Sequence, residues 1–152
     1  MSKSISIPTV NVAVCLLAQG EKLALPWNAN WGGFTTPMTK RRSWRDPNLP
    51  NADREEEWED AAARAGAEVL GRTCEPHFVM DLGGEFQQSD RDGVWKRYHY
   101  QVFRLDLPKG EPVGTSPGTI VEWLSPVEVL EKRPITQSAR MIVGRLIEAG
   151  KL

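Results

Sequence analysis

The first part of the chain alternates between apolar runs and short polar breaks in a way that predicts β-structure. Residues 10–18 are almost wholly apolar, a pattern typical of a buried strand. The polar sequence QGE at residues 19–21 is a turn signal, and residues 22–25 continue as a second strand. Residues 31–36 are a candidate third strand. The chain therefore begins with a predicted hairpin and a further strand.

A proline-rich and basic segment, residues 37–51, separates these strands from a helical pattern. Its prolines and turn residues predict a loop, and at about fifteen residues the loop is long enough to indicate a functional role. The helical pattern starts at about Ala52, where Asn51 or Asp53 is a candidate N-cap. Gly71 stands where a C-terminal cap is expected, so we predict that the helix ends there.

The second half of the chain predicts more strands and a short helix. Residues 77–88 and 94–107 are extended runs joined by the polar turn SDRDG, which indicates a second hairpin. Residues 119–124 form a further strand pattern. The sequence SPVEVL at residues 125–130 is typical of a short capped helix.

The chain closes with an amphipathic helix over residues 135–149, which Gly150 ends. Strands, one helix, more strands and a closing helix in this order predict an α+β domain or a layered α/β/α domain. The 152 residues have the length of one domain, so we expect residues 1–152 to form a single domain with its own core.

Composition and charge narrow the class of protein. Lys plus Arg number 19 and Asp plus Glu 20, so the overall charge favours neither nucleic acid nor a membrane as partner. No apolar run approaches the roughly 18–20 residues of a membrane span. The chain does not open with the charged, apolar and small-residue pattern of a secretory signal, so we do not expect one. Cys15 and Cys74 lack the spacing of metal ligands. We therefore expect a cytoplasmic protein with reduced thiols.

The first predicted helix has an apolar face and a charged face. Charged residues four apart can form ion pairs, each worth about 0.2–0.5 kcal/mol on a helix surface. From periodicity alone, this is an amphipathic helix whose charged face lies in water. The apolar face comprises Trp58, Ala61, Ala62, Ala65 and Val69. The charged face comprises Glu57, Asp60, Arg64 and Glu68.

The order of residues in this segment also resembles the Nudix box, G-x5-E-x7-R-E-U-x-E-E-x-G-U, in which U is aliphatic. Glu56, Arg64, Glu68 and Gly71 match positions that the pattern specifies. Other positions depart from it, including the two further glutamates that should follow the arginine. The departures are Pro50, Ala65, Gly66, Val69 and Arg72. The segment is therefore similar to a degenerate Nudix box.

Segments on both sides of the helix add to the resemblance. WGGFTTPMTK at residues 31–40 is similar to the strand and loop that precede the box in Nudix hydrolases. VEWLSPVEVL at residues 121–130 is similar to the late tryptophan strand and short helix of that family. The resemblance spans roughly residues 10–146 and implies a Nudix-like α/β/α sandwich with a mixed β-sheet.

The resemblance implies hydrolysis of a diphosphate linkage in a nucleoside-diphosphate derivative, with Mg²⁺ held by carboxylates and substrate phosphates. It implies that Glu68 binds the metal and that Glu56 and Arg64 form a supporting catalytic pair. Glu122, in the late strand, is the preferred replacement ligand for the metal. Further acidic residues that could supply oxygens are Glu57, Asp60 and Glu85.

The basic segment and the tryptophan before it are candidate substrate-binding elements. Cationic side chains bind phosphates, and tryptophan stacks on a nucleobase. A solvated loop without a ligand is the alternative for the basic residues. The substrate-binding candidates are Trp31, Lys40, Arg41 and Arg42, with Trp44 and Arg45 beside them.

Two functions stay open at this point. The first is a Mg²⁺-dependent hydrolase with a degenerate metal site, favoured by how often this fold carries hydrolases. The second is a catalytically silent module that binds a nucleotide-like small molecule or a protein partner, favoured by the missing carboxylates. RNA binding through the arginine-rich segment is a weaker third hypothesis because the net charge is near zero. The sequence predicts no oligomeric state.

Overall fold

The fold is organised around β1, Thr9–Gln19, the strand that the long apolar run forms. A computed structural model describes residues 7–45, 47–48, 53–89 and 92–152. Side chains of β1 alternate between the two faces of the sheet, and the seven consecutive residues 12–18 are buried. The other strands are β2 Lys22–Asn28, β3 Gly33–Phe34, β4 Met38–Lys40, β5 Ser43–Arg45, β6 Asp53–Glu55, β7 His77–Gln88, β8 Trp95–Asp106 and β9 Val121–Leu124. The helices are α1 Trp58–Leu70, α2 Pro126–Glu131 and α3 Gln137–Glu148.

The main sheet is mixed. β8 pairs with β1 in parallel along almost the whole length of β1, and β7 pairs antiparallel with the far side of β8. On its other side, β1 pairs antiparallel with β4 and with the start of β2. β3 and β9 extend the sheet beyond β2, while β5 and β6 form a separate two-stranded ribbon.

Helices cover both faces of the main sheet. α1 packs on one face, where its alanines meet Ala13, Cys15 and Leu17 of β1. α3 packs on the other face, against Val14 and Leu16. The predicted α/β/α sandwich with a mixed sheet is therefore confirmed. None of the helices in the described part of the chain has the length and apolar composition of a membrane span.

The structure corrects the predicted start of the first helix. α1 begins at Trp58 rather than near Ala52, and Asp53, a candidate N-cap, lies in β6. Glu57 takes the N-cap position without a side-chain hydrogen bond. Because β6 pairs with β5, the backbone N–H and C=O groups of β6 form hydrogen bonds in this ribbon instead of in a first helical turn. Ala52 and the other candidate cap, Asn51, lie outside the described residues.

The prediction of a long loop before α1 is also wrong in part. The segment contains β4, in which Met38 lies opposite Val14 and Lys40 lies opposite Val12 of β1. It also contains β5. The third strand, predicted over residues 31–36, is shortened to the two residues of β3. The segment forms strands because β1 and β6 supply backbone partners that its own composition does not predict.

The predicted end of α1 and the predicted cap of α2 agree with the structure, whereas α3 begins at Gln137 rather than at Ile135. Gly71 ends α1 with φ 72°, and its N–H donates to the Ala67 carbonyl at 2.8 Å. Ser125 caps α2 through a reciprocal pair of hydrogen bonds with Glu128. Thr136 caps α3, since its hydroxyl accepts from the N–H three residues later at 3.2 Å.

Candidate functional site

An arginine on α1 joins the helix to the segment before it. Arg64 donates to both carboxylate oxygens of Glu56, from Nη2 at 2.9 Å and from Nε at 3.3 Å. Its Nη1 donates to the Thr39 hydroxyl and its Nη2 to the Lys40 carbonyl, each at 2.9 Å. The structure therefore brings the predicted supporting pair together and ties it to β4.

Glu56 is held as a carboxylate in this cluster. Its side chain is 11% exposed, and it also accepts the Arg42 N–H at 3.0 Å. The hydrogen bond from Arg64 lowers the pKa of Glu56, and the Arg42 N–H adds to this against the opposing effect of burial. The carboxyl is therefore ionised at neutral pH and compensates the charge of Arg64.

Arg41 and Arg42 do not line the cleft that is described below. The Arg41 side chain donates to the Glu56 carbonyl and to the Glu55 carboxylate, and it stacks over Trp58 with 5.1 Å to the ring centroid. Arg42 is exposed and contributes its backbone N–H to Glu56. Their role in substrate binding stays a prediction that this geometry does not support.

The face of α1 where the pattern would have two further glutamates is apolar and dry. Ala65 is 2% exposed and Val69 is 5% exposed, and both pack on the sheet. Glu68 lies beside them with 64% of its side chain exposed. Its nearest cationic atom is Arg64 Nη1 at 3.9 Å, a long ion pair, because that guanidinium is already bound to Glu56.

A cleft runs from α1 across the sheet edge to the face that α3 covers. Its wide chamber encloses about 600 Å³ and its narrow chamber about 200 Å³, and Asn28, Trp31 and Met38 line both. The wide chamber is also lined by Asn30, Lys40, Gln87, Lys96, Tyr98 and Tyr100. The narrow chamber is also lined by Trp27, Thr36, Ala65, Glu68 and Val69. Of the predicted site residues, Trp31, Lys40 and Glu68 therefore meet at one cleft.

The hydroxyl of Thr36 is buried in the wall of the narrow chamber. Thr36 is fully buried, and its Oγ1 has no hydrogen-bond partner among the described residues. Buried hydroxyls are nearly always paired with protein or ordered water. Within the described part of the chain, the Thr36 hydroxyl is therefore an unpaired polar atom that the wall covers, and it is not exposed to the chamber.

The structure does not bring Glu122 or Glu85 to Glu68. Glu122 lies opposite Leu25 in the ladder of β9 and β2, and Leu25 faces the layer of α3. Glu68 belongs to α1, on the opposite face of the sheet. Glu85 pairs with Arg145 of α3. Neither carboxylate can share an ion with Glu68 in this arrangement.

Comparisons with solved structures identify the fold. A MutT protein from Methanosarcina mazei Go1 superposes with a TM-score of 0.66 at 18% identity, covering 98% of this chain and 100% of that one. The chain has the Nudix fold. A MutT Nudix hydrolase from Burkholderia pseudomallei gives a TM-score of 0.59 at 15% identity, with 91% of this chain and 98% of that one covered.

Another solved structure that superposes on this chain was determined as a complex of two proteins. The C-terminal domain of mouse MUTYH, solved in complex with human PCNA, gives a TM-score of 0.57 at 17% identity and covers 93% of this chain and 89% of that one. No family model matches the sequence, and no curated protein matches it. The resemblance predicted from the sequence is confirmed at the level of the fold.

The side chains present do not fit the Mg²⁺ site that the Nudix fold implies. Mg²⁺ takes oxygen ligands, and at α1 only Glu68 offers a carboxylate at the wall of the cleft. Glu57 and Asp60 are exposed near the start of α1 and do not line either chamber. Within the described ranges, no three residues of the types His, Cys, Asp or Glu are grouped to hold an ion.

Sequence reasoning missed most of the wide chamber. Tyr98 and Tyr100 stack with 6.0 Å between ring centroids and a 16° angle, on the same sheet face as Met38. Asn28 and Asn30 reach the cleft from the end of β2. Alternation in β8 assigns both tyrosines to one face, but only the pairing of β8 with β1 shows which face that is.

Proposed function

We propose that the protein is a catalytically silent Nudix-fold module that binds a nucleotide-like ligand in the cleft. The observation that carries the proposal is the contrast between the two chambers. The wide chamber keeps aromatic rings, amides and lysines, which suit a base, a sugar and a phosphate. The narrow chamber has the alkyl groups of Ala65 and Val69 where the box pattern has glutamates.

The chemistry of the lining supports a ligand with a flat ring and several polar groups. The aromatic residues Trp31 and Tyr98 line the wide chamber, and stacking of a base on an aromatic side chain is worth about 1–3 kcal/mol. Asn28 and Asn30 offer amides that both donate and accept.

A second candidate is a weak Mg²⁺-dependent hydrolase of nucleoside-diphosphate derivatives. It is favoured by Glu68, which lines the narrow chamber, and by the intact pair of Glu56 and Arg64. A protein partner is the alternative to a small ligand, since the MUTYH domain of the same fold was solved in complex with PCNA.

Binding and turnover assays separate these candidates. Calorimetry with ADP and ADP-ribose, with and without Mg²⁺, should give saturable binding, while chromatography of the same mixtures should show no cleavage. Trp31→Ala should weaken binding by about tenfold or more, because it removes a stacking surface. Trp44→Ala is the matched control, since Trp44 is exposed, stacks with Arg54 and does not line the cleft.

The outcomes assign the function. Binding without cleavage supports the silent module. Mg²⁺-dependent cleavage that Glu68→Gln abolishes supports the hydrolase instead. Absence of both binding and cleavage across nucleoside-diphosphate derivatives would refute both small-molecule functions and leave the protein partner.

A further inference from the structure

The described residues that line the cleft include two cations and two acids, so their charges cancel, but their arrangement leaves one cation without an ion-pair partner. Lys96 forms an ion pair with Asp92 at 3.2 Å, and both line the wide chamber. Lys40 lines the same chamber, and its ammonium has no ion-pair partner among the described residues. Glu68 is the acid of the narrow chamber. The cleft therefore has an attractive site for an anion at Lys40 and a repulsive one at Glu68.

The backbone that carries Lys40 is fixed from two directions. β4 pairs with β1, so that Lys40 lies opposite Val12 on the face that lines the wide chamber. From the other side, Arg64 donates to the Lys40 carbonyl at 2.9 Å. The Arg64 and Glu56 pair therefore holds a lysine at the cleft instead of supporting a cluster of metal ligands.

Glu68 could attract a phosphate only through a bound cation, and among the residues that the structure describes it lacks the neighbouring ligands that would hold one. In a metal site, carboxylates attract phosphate only through the cation that they hold together. Ala65 and Val69 supply no side-chain oxygen to complete such a site, and Arg64 stays 3.9 Å away because it is bound to Glu56. A phosphate that enters the narrow chamber therefore meets a carboxylate whose charge is offset only by the long ion pair with Arg64.

We propose that Lys40 binds the phosphate of the cleft ligand without a divalent cation, and that Glu68 opposes this binding. This inference rests on the proposed binding of a nucleotide-like ligand. It makes Lys40 the residue that distinguishes a nucleotide from the corresponding nucleoside. It also reverses the role of Glu68, from metal ligand to a group that disfavours phosphate in the narrow chamber.

Calorimetry with ADP and adenosine tests both parts. ADP should bind with the same affinity in EDTA and in millimolar Mg²⁺. Lys40→Met should weaken ADP by about tenfold, because a charge-assisted contact is lost, and leave adenosine unchanged. Glu68→Gln should tighten ADP by about two- to fivefold, because a like charge is removed from a solvated cleft. Lys22→Met and Glu59→Gln are matched controls, since both residues are exposed and line neither chamber.

Two results would overturn the inference while leaving the binding function intact. One is ADP binding that requires Mg²⁺ and weakens in Glu68→Gln. The other is an equal loss of ADP and adenosine in Lys40→Met, which would mean that the lysine only shapes the chamber. If neither ADP nor adenosine binds wild type under any condition, the proposed function fails and the inference fails with it.

Discussion

Gly66 allows α1 to approach β1 at a point where two sulfur atoms face the helix, so a larger residue there should destabilise the protein. A Cβ atom on Gly66 would lie 2.8 Å from Cys74 Sγ and 2.9 Å from Cys15 Sγ. It would also lie 3.6 Å from a methyl group of Leu17, an ordinary contact. Carbon and sulfur cannot approach within 3.0 Å, so Gly66→Ala requires the helix or the sulfurs to move.

The expected loss follows from two opposing effects. Overpacking a buried site costs about 1–3 kcal/mol, and this site belongs to the upper part of that range because Cys15 is fully buried within the central strand. Alanine in place of a mid-helix glycine stabilises the helix by about 1 kcal/mol, because alanine has the higher helix propensity. We therefore expect Gly66→Ala to lower the free energy of unfolding by about 1–2 kcal/mol.

Urea unfolding in the presence of a reductant, followed by circular dichroism, measures this loss. Gly144→Ala is the matched control, because Gly144 also lies within a helix but the nearest atom to its Cβ would be Leu130 Cδ2 at 3.7 Å. It should gain stability, by up to about 1 kcal/mol. The two Gly→Ala variants should therefore change stability in opposite directions.

A double variant tests the stated cause. Cys74→Ala removes the nearer sulfur, so the cost of Gly66→Ala should be smaller in that background than in the wild type. If Gly66→Ala is as stabilising as Gly144→Ala, or if its cost is unchanged without the Cys74 sulfur, the close approach of helix and sulfurs is not what requires glycine.

Three further predictions concern stability and reactivity. Glu56→Gln should lower the free energy of unfolding by about 2–3 kcal/mol at neutral pH, because Arg64 loses its charged partner. Arg64 lowers the folded-state pKa of Glu56, so this stabilisation is complete above the ordinary pKa of 4.5 and is lost as the pH falls through the lowered pKa. The stabilities of wild type and variant, measured by urea unfolding, should therefore converge at acid pH. Thr136→Ala should cost about 1–2 kcal/mol in the same assay, because it removes the cap of α3. Burial raises the pKa of Cys15 to about 12, so mass spectrometry should find this thiol unalkylated by iodoacetamide until the protein unfolds.

Controls make each of these outcomes specific. Glu59→Gln removes an exposed acid from α1 and should not reproduce the acid convergence of Glu56→Gln. A constant gap between wild type and Glu56→Gln down to strongly acid pH would contradict the ion-pair argument. Thr136→Ser keeps the hydroxyl and should retain most of the stability. Rapid alkylation of Cys15 in a folded Cys74→Ala protein would contradict its burial.

Local patterns in the sequence were sufficient to predict parts of the fold and of the candidate site. The apolar run of β1 predicts a buried strand, and Gly71 predicts the end of α1, because each depends on a few neighbouring residues. The resemblance to the Nudix box implied the pair of Glu56 and Arg64, and the structure brings the two side chains into contact at 2.9 Å. These features need no knowledge of distant segments.

Features that depend on pairing between distant segments could not be predicted in this way. Asp53 has the chemistry of a helix cap, yet it pairs with Arg45 in a ribbon because a partner strand satisfies its backbone. His99 shows no partner near it in sequence, but both oxygens of Asp81 lie within 2.9 Å of its ring nitrogen across β7 and β8. The wide chamber is likewise formed by side chains of several elements that only the sheet brings together.

The parallel pairing of β1 with β8 sets the order in which the chain can fold during synthesis. Val10 and its partner Tyr98 are separated by about 90 residues, which a ribosome adds in roughly 5–20 s. During that time β1, apolar on both faces, has one long edge without its partner, which favours association with other chains. A fragment that ends before Trp95 should therefore aggregate or remain sensitive to proteases, whereas a fragment that extends through Asp106 should gain protection.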